Sequence, residues 1–97
     1  MPALKWLPEA VEDLERLLAF LAEVSPDAAA RAAAAILAGC DELLAHPGLG
    51  RPRDDGSRDW FISFGVGAYV LRYRLDAEGT MVVIRVWHSR ADRTSGK

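Results

Sequence analysis

Two runs near the C-terminal end of the chain, Ala68 to Leu75 and Thr80 to His88, alternate apolar side chains with arginines and aromatics. A period of two is the period of a strand, so Tyr69, Leu71, Tyr73 and Leu75 fall on one face and Val70, Arg72 and Arg74 on the other. In the second run Val82, Ile84 and Val86 form an apolar set against Met81, Val83, Arg85 and Trp87. Between the runs, Asp76-Ala77-Glu78-Gly79 reads as a hairpin connection. If the two apolar sets share a core, Tyr69 and Tyr73 pack inside it, and the opposite face collects Arg72, Arg74, Arg85 and Trp87.

Upstream the period changes to that of a helix. Ala10, Leu14, Leu17, Leu21 and Val24, with Val11 and Leu18, recur at three- and four-residue spacing, which predicts an amphipathic helix starting at Pro8. Glu9, Glu12 and Asp13 place negative charge near its positive dipole end, whereas Leu7 is a poor cap. Ser25-Pro26-Asp27 stops that helix and starts a second, with serine as cap and proline at the first helical position. The second helix runs to about Ala45 and turns Ala29, Ala32, Ala33, Ile36, Leu37, Cys40, Leu43 and Leu44 inward. Its alanine-rich half allows backbones to approach, so the pair is expected to form an antiparallel hairpin. Leu4 to Leu7 is a short candidate edge strand, Leu49 to Asp59 a polar loop, and Trp60 to Phe64 a strand that turns at Gly65-Val66-Gly67. Ala91 to Lys97 is a polar tail, its last residues 94–97 expected to be flexible. The order strand, helix, helix, three strands predicts an α+β fold. A helical hairpin covers one face of a mostly antiparallel sheet that ends in a three-strand meander.

The 97 residues suit one domain, 1–97, and an apolar fraction of 51% with 27% charged residues argues against disorder. No stretch is long and apolar enough to span a bilayer and no signal-peptide layout is present, which points to a cytoplasmic protein. The lone Cys40 lies on an apolar helix stripe and reads as a buried thiol; His46 and His88 are far apart and no cysteine pair exists, so neither a metal nor a cofactor is implied. Net charge is only −2, but residues 1–46 carry three basic groups against eight acidic ones, while residues 47–97 carry nine against six. The second half is therefore the basic one, a distribution suited to an acidic partner rather than to general nucleic-acid binding.

Candidate chemistry follows that charge. Arg72, Arg74, Arg85 and Arg90, with Arg51 and Arg58 of the loop, are candidate binders of carboxylate or phosphate, and Trp87 is a candidate stacking surface. For RNA cleavage a general base, a general acid and a cation are needed at one phosphate. His88 is the obvious proton-transfer group near the sheet, with Arg85 and Arg72 as the accompanying cations; the alternative is a hydrogen-bonding histidine at a strand end.

These residues resemble the ParE/RelE superfamily of bacterial type II toxins, often labelled plasmid stabilisation system proteins. The resemblance runs from about Trp6 to Arg93 through Pro8-Glu9-Ala10, Asp13-Leu14, His46-Pro47, Gly50-Arg51, Trp60 to Phe64 and Tyr69-Val70-Leu71-Arg72-Tyr73. It closes with Ile84-Arg85-Val86-Trp87-His88-Ser89-Arg90-Ala91-Asp92. It implies a toxin neutralised by a cognate antitoxin, in a hetero-oligomer with it. RelE-like members are ribosome-dependent mRNA interferases and ParE-like members inhibitors of DNA gyrase. RelE-like nucleases often carry an arginine directly after the first tyrosine of the third strand; here that position is Val70. The loop before that strand holds no lysine either. The resemblance therefore implies a ParE-like gyrase inhibitor, with an mRNA endoribonuclease, or a degenerate toxin that only binds its antitoxin, as alternatives.

Overall fold

The computed structural model describes residues 3–89. Elements follow in the order β1 (Leu4–Trp6), α1 (Pro8–Val24), α2 (Pro26–Ala45), β2 (Arg51–Pro52), β3 (Arg58–Phe64), β4 (Gly67–Leu75) and β5 (Met81–His88). The sheet order is β1-β5-β4-β3-β2, antiparallel throughout except that β1 runs parallel to β5. The two helices cover one face, as the pattern predicts for an α+β fold. Arg90 and the tail from Ala91 onward lie outside the described residues.

Local chemistry accounts for the joints. Ser25 alone connects the helices: its N–H donates to the Leu21 carbonyl, closing α1, while its hydroxyl accepts from the Ala28 N–H at 3.1 Å, opening α2. Leu7 caps α1 without a side-chain bond, Pro8 supplying the pre-set first turn instead. In the β4–β5 hairpin the Asp76 carboxylate accepts from the N–H groups of Glu78 and Thr80, both at 2.9 Å, and Gly79 takes the left-handed φ of +85° that a residue with a Cβ resists. Where α2 crosses β3, a Cβ at Gly39 would stand 2.6 Å from Ile62 Cδ1, so any larger residue there requires the Ile62 side chain to shift.

The core lies between helices and sheet and contains Ala10, Ala32, Ile36, Cys40, Leu43, Tyr69, Leu71, Tyr73, Met81, Val83 and Val86. Cys40 is buried, as expected, and desolvation pushes its thiol pKa up to about 11, which keeps it unreactive. Tyr69 and Tyr73 are also inside. Tyr73 pins the segment after α2: its hydroxyl donates to the Pro47 carbonyl at 2.6 Å and accepts from the Gly50 N–H at 2.9 Å.

Several expectations need correction. The polar loop contains a two-residue strand, β2, and β3 begins at Arg58 rather than Trp60, because Arg51 and Pro52 pair with Asp59 and Arg58. The expected core set Val82, Ile84 and Val86 is wrong in part. A β-bulge places Tyr73 opposite Val83 but Arg72 opposite Arg85, leaving Ile84 as the extra residue. Alternation reverses across a bulge, so Met81, Val83 and Val86 share the helix side and Val82 faces the other way. Leu75, Val24 and Leu37, expected inside, are exposed: Leu75 and Val24 close their elements, and Leu37 lies mid-helix beside the buried Ile36.

Candidate functional site

The register of the five strands determines which side chains share the face away from the helices. Lys5, Val82 and Arg74 form one row across β1, β5 and β4. Arg85, Arg72, Asp59 and Arg51 form the next, across β5, β4, β3 and β2. Trp87, Val70 and Phe61 form the third. Arg72 is held from two sides: Nε and Nη2 donate to the two Asp59 oxygens at 2.8 and 3.1 Å, and its guanidinium carbon lies 4.9 Å from the Trp87 ring centre. Arg51 covers Phe61 at 5.5 Å. Each aromatic ring of this face thus carries a guanidinium on it.

Arg85 does not join them. The expectation placed it on the open face, and its register position opposite Arg72 agrees, but β1 ends at Trp6 and, among the described residues, no strand pairs with the outer edge of β5 beyond Val83. Through that gap the Arg85 Nε and Nη2 donate to Asp13 of α1 at 2.7 and 3.0 Å, and the Val86 backbone N–H donates to the same carboxylate at 3.1 Å. Asp13 is only 8% exposed, so burial by itself would raise its pKa. The Arg85 guanidinium, the Val86 N–H and the charge of Arg16 outweigh burial and hold the carboxyl below its ordinary range. Asp13 was legible only as a favourable charge near a helix start. Its position on the apolar side of α1, one turn before Leu17, was the signal that it faces inward.

Beside this clamp, between α1 and the ends of β3 to β5, lies a mostly apolar cleft of about 960 Å³. Leu17, Phe20 and Leu21 of α1 form one wall, Phe64, Val66 and Tyr69 the other. Phe20 is 68% and Val66 85% exposed, which is unusual for side chains so apolar. His88 lines the same cleft, edge-on to Tyr69 at 5.1 Å between ring centres, and opposite Tyr69 in the register.

The structure sets Arg72 apart from the other two residues that a nuclease reading would group, whereas Arg85 and His88 line the same cleft. Arg72 belongs to the open face, His88 to the helix side, and Arg85 is bound to Asp13. Val70, at the position where nucleases of the resembling superfamily often have arginine, is buried at 2% exposure between Phe61 and Trp87. Arg74 is exposed on the open face. Arg58 instead donates to the carbonyls of Gly48 and Gly50, at 3.2 and 2.7 Å, and braces the same segment that Tyr73 holds. Among the described residues no His, Cys, Asp and Glu cluster suits a metal ion, and no helix is long and apolar enough to cross a membrane.

Comparison with known proteins adds three findings. The family model for the ParE toxin of the type II toxin–antitoxin system parDE matches residues 4–93. Two proteins of Caulobacter vibrioides are similar: Toxin RelE3 is 38% identical over 82 residues, covering 84% of this chain and 88% of the relative. Toxin RelE1 is 39% identical over 84 residues, covering 87% and 89%. Among solved structures, a chain of the chromosomal ParDE TA system from P. aeruginosa superposes with a TM-score of 0.70 over 91% of this chain and 96% of that one; at 23% identity this shows a shared fold.

Proposed function

The chain belongs to the ParE/RelE superfamily of type II toxins, and we propose that it arrests growth by binding and inhibiting DNA gyrase in the cytoplasm rather than by cutting RNA. As a toxin of this type it has a cognate antitoxin protein as partner. The observation that carries the proposal is the pair of faces on which the candidate nuclease residues lie. His88 and Arg72 project to opposite sides of one sheet, Arg85, which lines the cleft with His88, is engaged by Asp13, and the site between Phe61 and Trp87 is filled by Val70. General acid–base cleavage needs its groups within hydrogen-bond reach of one reacting centre. Protein binding needs only complementary surface.

The cleft supplies such a surface for the antitoxin. An amphipathic segment laid along Phe20 and Val66 would remove exposed apolar area.

The names of the two Caulobacter relatives favour keeping the ribonuclease as the second reading, with His88 and Arg85 as its residues. Purified protein assayed on gyrase-driven supercoiling and on ribosome-bound mRNA separates the two. Inhibited supercoiling with intact transcript is the expected result. Cleaved transcript without gyrase inhibition overturns it, and loss of that cleavage in His88→Ala and Arg85→Ala would then identify the nuclease residues. Normal growth on expression without antitoxin would mark a toxin that has kept antitoxin binding alone.

A further inference from the structure

Tyr69 brings one polar atom to the wall of the apolar cleft. The residue is 2% exposed, lines the cleft, and has its ring 5.3 Å from that of Phe64 and 5.1 Å from that of His88. The hydroxyl of Tyr73, further along the same face of β4, bonds to Pro47 and Gly50, whereas among the described residues the Tyr69 hydroxyl makes no hydrogen bond. It is not sealed in either: among the described residues, Trp60 Nε1 is the one fully enclosed side-chain polar atom without a partner. The Tyr69 hydroxyl therefore reaches the cleft that the residue lines. Burial pushes its pKa up, so the phenol stays protonated and able to donate. A buried tyrosine ordinarily finds a hydrogen-bond partner within its own fold. This one leaves its polar tip to whatever fills the cleft.

Shape and charge narrow down the occupant. A small molecule is held by enclosure on most sides, and the bare rings and methyls of Phe20 and Val66 do not enclose one. The lining holds two guanidiniums, Arg16 and Arg85, against one carboxylate, Asp13, which already accepts from Arg85 and the Val86 N–H. Arg85 is committed to that carboxylate. Arg16 is 72% exposed, and its Nη1 stands 3.6 Å from Asp13, too far for a hydrogen bond. The cleft thus joins an apolar floor to a net positive rim. Residues 90–97 have no apolar side chain larger than alanine and three basic side chains against one acidic, so the chain's own tail matches neither property. A second copy docked cleft to cleft would oppose two positive rims. A helical segment of another protein, with an apolar stripe and an acidic flank, matches both.

We propose that Tyr69 is a specificity-determining contact of the antitoxin interface: its hydroxyl hydrogen-bonds a polar group that the docked segment turns into the cleft, while Arg16 at the rim meets an acidic residue of the same segment. The inference rests on the reading of the cleft as the antitoxin site and adds the chemistry of the partner. A segment with an unbroken apolar stripe would seal the hydroxyl from water without an acceptor, and that penalty discriminates against it.

The test titrates the full-length toxin with the full-length cognate antitoxin, cloned from the reading frame beside the toxin's, by isothermal calorimetry, and melts each toxin variant alone. Phe20→Asp with Val66→Asp puts charge on both lips of the cleft and is expected to lower affinity by about a hundredfold or more. Tyr69→Phe removes only the hydroxyl. Because that hydroxyl has no partner in the free toxin, Tm is expected to hold or rise while antitoxin affinity falls about tenfold. Arg16→Glu is expected to weaken binding most at low salt. Wild-type affinity in Tyr69→Phe or in Arg16→Glu overturns the proposal. So does a fall in the Tm of Tyr69→Phe, which would make the hydroxyl a part of the fold. If Phe20→Asp with Val66→Asp binds as wild type, the antitoxin lies elsewhere and the cleft reading fails as well. If that variant alone loses binding, the cleft reading stands and Tyr69 is not its recognition residue.

Discussion

The cleft side and the open face use their arginines in opposite ways, although Arg85 and Arg72 stand directly across from each other in adjacent strands. Arg85 is turned past the end of β1 to a buried carboxylate, where it fastens α1 to the sheet and leaves an apolar cleft beside it. Arg72 stays on the open face, ordered by Asp59 and Trp87. One guanidinium ties a helix to the sheet and the other ties two neighbouring strands. The difference lies in the carboxylate each meets: Asp13 reaches from α1, is 8% exposed and also takes the Val86 backbone N–H, whereas Asp59 stands beside Arg72 on the adjacent strand.

The largest expected effect breaks the cleft side. Asp13→Ala strands the Val86 N–H and the Arg85 guanidinium together, and should lower unfolding stability by about 2–3 kcal/mol, measured by urea denaturation; the half-exposed Arg85 regains water, which keeps the loss below that of a fully buried pair. An Asp59→Ala change on the open face should cost less, because it strands no backbone N–H. Equal losses would remove the distinction between the two regions.

Tyr73→Phe sharpens the comparison by linking the two sides. This helix-side tyrosine holds the Pro47 to Gly50 segment from which β2 carries Arg51 to the open face. Losing one buried hydroxyl with two hydrogen bonds should cost about 1–2 kcal/mol, read by thermal melting. Unchanged melting would show that the segment keeps its place without the tyrosine hydroxyl.

The smallest effect is one of pH. Because Asp13 titrates below its ordinary value of about 3.9 in the folded chain, its clamp contributes stability above that value and loses it as pH falls through the lower folded value. Asp13→Asn should therefore be less stable than wild type at neutral pH, with the gap narrowing in acid-melting curves once pH falls below the ordinary carboxylate range. A gap that does not change with pH would mean that the ionised form of Asp13 adds nothing.

Most of the architecture was legible along the chain. The 3.6-residue stripes of both helices, the Ser25-Pro26 joint and the Asp76 to Gly79 hairpin are decided by neighbours within a few positions, and each forms as its residues dictate. Burial of Cys40, Tyr69 and Tyr73 follows from the same periodicity. The placement of Arg72, Arg74 and Trp87 on one open face was also readable, since all three lie on the regular side of the bulge or pair with it in step.

What the tertiary structure alone decided is the fate of Arg85 and the parity of β5. An extra residue at Ile84 leaves no mark in a period-two pattern, because Met81, Val82, Val83 and Ile84 are all apolar and fit either phase; only pairing with β4 selects Met81 and Val83 for the core. Likewise Asp13 and Arg85 are 72 positions apart, and nothing local distinguishes an acid that favours a helix start from one that enters the interior. Periodicity reports which way a residue faces within its own element. Which element it then meets is set by packing of the whole core, and here that packing tied Arg85 to a helix 72 positions away and left Arg72 with an acid on the adjacent strand.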